Sequence, residues 1–356
     1  MASNNVTVHL HIGLHKTGTT SLQDFLSRMS LRKEGFCWPG FEGHGKSLSS
    51  IPLTILSSNK YPANQLTALE NCFKSNLSVI LSAEDFSVLN LEKIRVLKNT
   101  IIQTGERLNL AISFHVIMVY REPLTRLYSN YCERARSDRI TGTLDFLNYT
   151  LAHSEDKAKS TYAMTALDRY EEIFGRDKIT IVDYDGVMAA NQSLVHTIVC
   201  STMKIFCNDQ NHHEPMLNEK ANMIHLHLLY MMNLEIKAHG YHLCGWGNKL
   251  TSLVSPQFKL MEKDIPVRRV NLRSLWTDFH QADKKFRHKY GSVMIYNNKT
   301  AAVEALKSLE VEEIDEVAFH RPTWLKFLSS ELQRLSLERK ICDTAGKPTN
   351  FTTPNW

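Results

Sequence analysis

Residues 13–20, which read GLHKTGTT, constrain the fold of this chain more than any other segment. They follow an apolar, β-branched run at residues 6–12 and precede a segment with helical periodicity at residues 21–29. A glycine-containing turn between a strand and a helix directs unpaired backbone N–H groups to one point, where the helix dipole also favours negative charge. The sequence therefore predicts an anion-binding loop that would hold a phosphate or a similar group.

The loop differs from the usual loop of ATP-binding proteins after its second glycine. Gly13 and Gly18 keep the G-x-x-x-x-G spacing, but Thr19 and Thr20 stand where a lysine and then a serine or threonine are expected. Lys16 is the only lysine of the loop, so its ammonium would reach a ligand from a different side unless it is simply solvated. This pattern argues against ordinary ATP chemistry.

A second segment has the character of a ligand-binding strand end. Residues 114–120 (FHVIMVY) form a near-continuous apolar run, typical of a parallel strand buried on both faces. Arg121 follows the run, and Pro123 suits the first turn of a helix on which Arg126 and Ser129 share one face. An arginine and a hydroxyl at a strand's carboxyl end can bind a phosphate. The alternatives are a surface ion pair for the arginine and a bond to a helical carbonyl for Ser129.

Together these segments resemble the cofactor motifs of sulfotransferases that use 3'-phosphoadenylyl sulfate (PAPS). The loop resembles their 5'-phosphosulfate loop, and Arg121 with Ser129, eight residues later, resembles their 3'-phosphate motif. The resemblance extends over residues 178–187, which look like a later core strand, and is weaker beyond residue 218. It implies an α/β fold with a P-loop-type central parallel sheet flanked by helices on both faces, and a more helical C-terminal part.

The resemblance also implies a set of site residues. Lys16 would neutralise the departing phosphate oxygen, no metal is required, and adenosine 3',5'-bisphosphate (PAP) would be the product. The acceptor would be a hydroxyl or an amine of a carbohydrate or a small hydroxylated metabolite, because the chain is closer to the carbohydrate-type and bacterial-like members. The residues that would bind PAPS are His15, Lys16, Thr17, Gly18, Thr19, Thr20, Ser21, Arg121 and Ser129.

The base that takes the acceptor proton has two candidates. Residues 78–82 (SVILS) predict a short buried strand, and Glu84 and Asp85 follow it at the same edge as the loop. Residues 80–86 (ILSAEDF) resemble the form of the family that uses a glutamate, which makes Glu84 the candidate base. Alternatively, both acids only complement the dipole of a helix from Leu91. His15 is the rival base because histidine titrates near neutrality, although it could instead contact substrate or solvent.

Length favours a single domain over residues 1–356, and the resemblance implies that this domain is sulfotransferase-like. Its parts would be a nucleotide-binding core at 1–217, a mainly helical part at 218–342 and an irregular tail at 343–356. Helical periodicity is clear at residues 221–238 and 322–337. Residues 33–58 are the most loop-like early stretch and could cover the acceptor site.

Composition excludes several other classes of protein. The net charge of +5, from 42 basic and 37 acidic residues, is too mild to call for nucleic acid binding. Seven cysteines without C-x-x-C spacing make a disulfide framework or a zinc site unexpected, and His9 and His11 lack metal-binding spacing. The sequence shows neither a signal peptide nor a membrane anchor, which predicts a cytoplasmic protein and leaves the oligomeric state open.

Other functions remain as alternatives. Residues 179–183 (ITIVD) imitate the apolar strand ending in an aspartate that holds magnesium in P-loop kinases and nucleotide hydrolases. A non-catalytic nucleotide-binding module is a third possibility. Arg134, Arg136 and Arg139 could contact an acidic acceptor or form a solvated helix face.

Overall fold

The described residues fall into two compact units. The computed structural model describes residues 5–39, 48–136, 146–153, 160–207, 267–309 and 311–314, with shorter pieces at 231, 234, 236–238, 240–243, 326, 329–330, 333–334 and 341–342. The first unit takes residues 1–126, 154–217 and 275–308, and the second takes residues 127–153, 218–274 and 309–356.

The strands and helices are as follows. The strands are β1 (Asn5–His11), β2 (Phe36–Cys37), β3 (Ser78–Ser82), β4 (Ala111–Tyr120), β5 (Ile179–Asp183), β6 (His242–Leu243), β7 (Val267–Arg269), β8 (Met294–Ile295), β9 (Glu312–Ile314) and β10 (Ile341–Cys342). The α-helices are α1 (Thr19–Arg28), α2 (Ser50–Ser58), α3 (Ala63–Lys74), α4 (Leu91–Glu106), α5 (Pro123–Arg136), α6 (Phe146–His153), α7 (Ser160–Phe174), α8 (Tyr184–Ala189), α9 (Leu194–His196), α10 (Arg273–Tyr290) and α11 (Lys299–Lys307). Short 3-10 helices include Leu31–Glu34 and Glu84–Val88.

Among the described residues, six strands of the first unit form one parallel sheet in the order β2-β3-β1-β4-β5-β8. β1 lies between β3 and β4, and His11 near its end pairs with Ser82 on one side and with Ile117 on the other. Because all six strands are parallel, their carboxyl ends meet at one edge of the sheet. The second unit contains two small antiparallel pairs, β6 with β10 and β7 with β9.

The middle of the sheet is buried on both faces. Leu10, His11 and Ile12 are consecutive and fully buried, as are residues 116–119 of β4. Since neighbouring side chains of a strand point to opposite faces, both faces must be covered. This arrangement confirms the predicted α/β class with a central parallel sheet.

The local predictions around the loop are confirmed to within a few residues. The predicted strands at 6–12, 78–82 and 114–120 correspond to β1, β3 and β4, and the helix predicted at 21–29 corresponds to α1. α5 begins at Pro123, as the proline predicts. The division at residue 217 stays a prediction, although β8 joins the sheet from beyond it. The tail at 343–356 and most of 221–238 and 322–337 lie outside the described residues.

The prediction that residues 33–58 form a loop is wrong for the part that the structure describes. Phe36 and Cys37 pair with β3, and α2 buries Ile51 and Ile55. The Gly and Ser content of this stretch suggested a loop, but its few apolar residues are enough to bury one helix face. Residues 40–47 lie outside the described residues.

The prediction that the cysteines form no disulfide framework is also wrong. Cys37 on β2 and Cys72 on α3 form a disulfide with a Cα–Cα distance of 5.8 Å, and Cys200 and Cys207 form another with a distance of 4.8 Å. Both distances suit a disulfide. Disulfides persist mainly in oxidising compartments, so these pairs weigh against the predicted cytoplasmic location. Within the part of the chain that the structure describes, no helix has the length and apolar character needed to cross a membrane.

We predict that peptide mapping without reductant finds Cys37 linked to Cys72 and Cys200 linked to Cys207. Cys72→Ala should lower the free energy of unfolding by about 2–4 kcal/mol, because the unfolded chain then loses a cross-link over 35 residues. Urea denaturation measures the change. Cys132→Ala, at a cysteine outside both disulfides, is the control and should change little. Alkylation of Cys37 and Cys72 in the unreduced protein would contradict the assignment.

Candidate functional site

The loop between β1 and α1 has an unusual backbone that depends on two glycines. A Cβ atom at Gly13 would lie 2.7 Å from Thr19 Oγ1, and one at Gly18 would lie 2.5 Å from the Leu194 side chain, so neither position has room for a larger residue. Gly18 has φ 84° and caps α1, and Lys16 also has a positive φ of 68°. A non-glycine residue in this conformation is strained by about 1–3 kcal/mol, and such strain concentrates at functional sites.

The loop residues predicted to bind the cofactor differ in burial and in the part of the structure to which they belong. Thr17 is fully buried, and its hydroxyl donates to the Leu14 carbonyl oxygen at 2.6 Å, so this side chain holds the loop together. Thr19, Thr20 and Ser21 form the first turn of α1, where helical N–H groups lack intrahelical partners. Of these three, Thr19 is buried and Thr20 is exposed.

Several buried polar atoms at this edge fit an anionic ligand. Among the residues that the structure describes, Thr19 Oγ1, His11 Nε2 and Arg121 Nε are buried without a hydrogen-bond partner. Buried polar atoms in folded proteins nearly always have a partner. These three atoms surround or adjoin the loop, and a phosphate or sulfate oxygen could accept from the Thr19 hydroxyl and from the Arg121 guanidinium.

Arg121 joins the two predicted phosphate-binding segments. Its Nη1 donates to the Lys16 carbonyl oxygen at 3.2 Å, and its guanidinium lies 4.7 Å from the centre of the Tyr184 ring. The guanidinium at the end of β4 therefore contacts the loop at the end of β1. Arg126, one turn into α5, is buried, and burial lowers its pKa. Ser129 follows on α5 but belongs to the second unit, and its role stays a prediction.

Sequence analysis missed the buried acids next to Arg121. Glu122 accepts hydrogen bonds from the backbone N–H groups of Leu124 (3.0 Å) and Thr125 (2.7 Å), and its own N–H donates to Asp185 Oδ2 at 2.7 Å. Burial raises the pKa of Glu122 to about 7 and that of Asp185 to about 6. An acid just before a proline at a helix start was a sequence signal for the hydrogen bonds from Leu124 and Thr125 to Glu122. No local pattern indicates the hydrogen bond from Glu122 to Asp185, because Asp185 follows a different strand, β5.

The two candidate bases are in direct contact. Glu84 follows β3, and the loop brings His15 Nδ1 to 2.5 Å from Glu84 Oε2 and His15 Nε2 to 3.8 Å from Asp85 Oδ1. Burial alone would raise the pKa of Glu84. The hydrogen bond from His15 and the positive charges of His15 and Lys16 outweigh burial and lower it. Glu84 is therefore a carboxylate at neutral pH.

Buried hydrogen bonds fix the loop relative to Glu84. His11 Nδ1 lies 2.9 Å from Ser82 Oγ, and Gln23 Nε2 of α1 donates to the Ser82 carbonyl oxygen at 3.1 Å. Burial lowers the pKa of His11 to about 4 and that of His9 to about 3, so both rings are neutral. His9 and His11 are therefore core histidines.

Asp183 at the end of β5 is occupied by a structural ion pair. Its Oδ2 lies 2.5 Å from Arg287 Nη1 and accepts from the Asn298 backbone N–H at 2.9 Å, and its Oδ1 accepts from Arg287 Nη2 at 3.2 Å. Arg287 also binds Asp283 through its Nε. Asp183 is fully buried, so it is not presented to a magnesium ion as the kinase alternative requires.

Comparisons with known proteins give little further information. No protein-family model matches this chain, and no curated protein matches it. Among solved structures, the chain is similar to a sulfotransferase from Alicyclobacillus acidocaldarius, with 13% identity and a TM-score of 0.36 over 67% of this chain and 94% of that chain. A similarity of this size assigns neither a family nor an activity to the chain.

We predict that Glu122→Gln stabilises the protein increasingly as pH rises. The folded-state pKa of about 7 exceeds the ordinary 4.5, so the folded protein holds this proton more tightly than the unfolded chain does. The stability from the protonated acid is complete below pH 4.5 and is lost as pH rises through 7. Between pH 5 and pH 8, the unfolding free energy of the variant minus that of the natural protein should grow by about 2–3 kcal/mol.

Urea denaturation at several pH values measures this difference. Glu106→Gln, at an exposed position near the end of α4, is the control and should give a constant difference. A constant difference for Glu122→Gln as well would show that Glu122 is ionised at neutral pH.

Proposed function

We propose that this protein is a PAPS-dependent sulfotransferase that transfers a sulfuryl group to a hydroxyl or amine by in-line displacement. The observation that carries the proposal is the hydrogen bond from Arg121 to the Lys16 carbonyl oxygen. This bond brings the Arg121 guanidinium next to the loop at residues 13–20, which lacks the lysine of an ATP-binding loop. A nucleotide with separate 5' and 3' phosphates requires two such neighbouring sites, one for each phosphate. The His15–Glu84 pair lies on the other side of the same loop.

The positions of the loop residues and of Arg121 support the proposed phosphate-binding roles. PAPS supplies the sulfuryl group already bonded to a phosphate. The N–H groups of the loop with Thr19 and Thr20 would bind the 5' end, and Lys16 would stabilise the charge on the departing oxygen. Arg121, with Ser129, would bind the 3' phosphate. The protein's contribution to such a transfer is mainly positioning and charge stabilisation.

The acceptor proton goes to the pair formed by Glu84 and His15. Glu84 was the first candidate base, and its carboxylate is ionised and partly buried beside the loop. A neutral sugar hydroxyl is the favoured acceptor, with a small hydroxylated metabolite as the alternative. Arg134 is half-buried on α5, whereas the Arg136 side chain and Arg139 lie outside the described residues, so a role for them stays a proposal.

The kinase alternative is disfavoured by two observations. The loop lacks the lysine that neutralises the β and γ phosphates, and Asp183 is held by Arg287. A non-catalytic nucleotide-binding module would give the His15–Glu84 pair no chemical role.

We predict that PAP stabilises the protein against heat and that ATP with magnesium at the same concentration does so far less. A ligand at 100 times its Kd adds about 2.7 kcal/mol to the unfolding free energy. Adenosine 5'-monophosphate, which lacks the 3' phosphate, should protect less than PAP, and Arg121→Ala should remove that difference. Thermal unfolding with each nucleotide measures these effects. Protection by ATP with magnesium but not by PAP would favour the kinase alternative.

We predict that Lys16→Ala and Arg121→Ala affect different steps. Lys16→Ala should lower kcat by about 10²–10³-fold, because it removes a charge that acts on the leaving oxygen. Arg121→Ala should weaken PAP binding by about 10–100-fold, the equivalent of a charge-assisted hydrogen bond. Transfer from labelled PAPS and a PAP titration provide the two readouts. Lys33→Ala and Arg95→Ala, at exposed positions in the first unit, are the controls. Natural activity and binding in either site variant would remove that residue from the site.

A further inference from the structure

We propose that His15 is the general base and that Glu84 is its positioning residue. This inference rests on the proposed function, because it assigns the proton that sulfuryl transfer releases. The Nδ1–H group of His15 donates to Glu84, and Nε2 takes the proton of the acceptor hydroxyl. The candidate glutamate therefore acts through the loop histidine.

The geometry of the His15 ring supports this division of roles. Nδ1 lies 2.5 Å from Glu84 Oε2, whereas Nε2 lies 3.8 Å from Asp85 Oδ1, beyond hydrogen-bond distance. A carboxylate on one ring nitrogen holds the tautomer in which the other nitrogen can accept a proton. A nucleophile, an imidazole and an orienting carboxylate form the general pattern of an activated hydroxyl. The contact identifies Glu84 as the orienting carboxylate.

Exposure points in the same direction. The His15 side chain is 48% exposed, and that of Glu84 is 27% exposed. The imidazole is therefore the more accessible of the two groups to an acceptor that arrives from solvent. The positive φ of Lys16, the next residue, accompanies this orientation: the Lys16 carbonyl oxygen faces Arg121 while the His15 side chain contacts Glu84.

The charges around the pair also favour an imidazole base. Burial would raise the pKa of Glu84, but the hydrogen bond from His15 and the nearby charge of Lys16 help to lower it. A carboxylate with a lowered pKa is a weak base for an alcohol, whereas a base that titrates near neutrality is more effective. Asp85 lies near His15 Nε2, and its negative charge stabilises the His15 imidazolium once the proton has arrived. Asp85 also interacts electrostatically with Tyr162 of α7.

The transfer balances with these groups. The acceptor oxygen forms a bond to sulfur while its proton moves to His15 Nε2. The bond between sulfur and the bridging oxygen of the 5'-phosphate breaks, and its electron pair leaves on that oxygen, close to Lys16. The imidazolium then releases its proton to solvent, and no oxidant, reductant or metal takes part.

The pH dependence of kcat/KM tests the assignment. PAP formation from PAPS would be followed with a mixture of neutral methyl hexosides as acceptors. If His15 is the base, the natural protein should already lose activity in acid above pH 4.5, because histidine side chains ordinarily titrate near 6.5. If Glu84 were the base, its lowered pKa would place the midpoint below 4.5.

Variants with added small bases separate a base from a structural residue. His15→Ala should lower kcat by about 10²–10⁴-fold, and added imidazole should restore part of the activity. Glu84→Ala should also lose activity, with rescue by formate and not by imidazole. His15→Asn keeps an N–H donor for Glu84 but has no basic nitrogen, so it should be as impaired as His15→Ala. His288→Ala, at an exposed histidine of α10, is the matched control and should behave like the natural protein.

The outcomes distinguish the two proposals. Heat protection by PAP in each variant shows that folding and the donor site are intact. An acid midpoint below 4.5, or near-natural activity of His15→Asn, would overturn the assignment of His15 and leave the proposed function standing. If the natural protein formed no PAP with sugar, small-hydroxyl or amine acceptors and PAP gave it no heat protection, the proposed function would fail, and this inference with it.

Discussion

The parallel pairing of β1 with β3 on one side and β4 on the other is the constraint on which the candidate site depends. His11 pairs with Ser82 and with Ile117, so the three strands end close together. The loop after β1 must then lie between the residues that follow β3 and those that follow β4. Glu84 is two residues beyond Ser82, and Arg121 is four beyond Ile117. The register of two backbone ladders therefore sets the His15–Glu84 pair and the Arg121 guanidinium on opposite sides of the loop between β1 and α1.

The elements around this loop could be predicted because their signals are local. β1 and β4 are continuous apolar runs, and a proline marks the start of α5. The apolar run of β3 likewise predicted that Glu84 lies at the carboxyl edge of the sheet, next to the loop. The contact between His15 and Glu84 could not be predicted, because the two residues are distant in the chain and meet only through the fold of the loop. Sequence alone presented the two residues as rival bases, and the structure joins them in one pair.

The failures of sequence analysis concern partners that are distant in the chain. Cys37 and Cys72 are 35 residues apart and meet because β2 pairs with β3 while α3 packs nearby, so spacing rules do not detect the pair. Asp183 resembled a metal ligand because its apolar strand is visible in the sequence. Its partner Arg287, 104 residues later on α10, is not. Chemistry that depends on long-range packing has no local signature.

The pKa shifts of the acids at this edge have opposite signs on the two sides of β1. The pKa values of Glu122 and Asp185 are raised, and that of Glu84 is lowered. Burial raises the pKa of Glu122 to about 7 and that of Asp185 to about 6, so near neutral pH the arginine side carries less negative charge than its composition suggests. The anionic donor proposed for this site would meet less repulsion there. On the other side, His15 and Lys16 outweigh burial and keep Glu84 ionised. A permanent negative charge there can hold an imidazole in the tautomer that accepts a proton, while the 3'-phosphate site proposed at Arg121 lies on the opposite side of the loop.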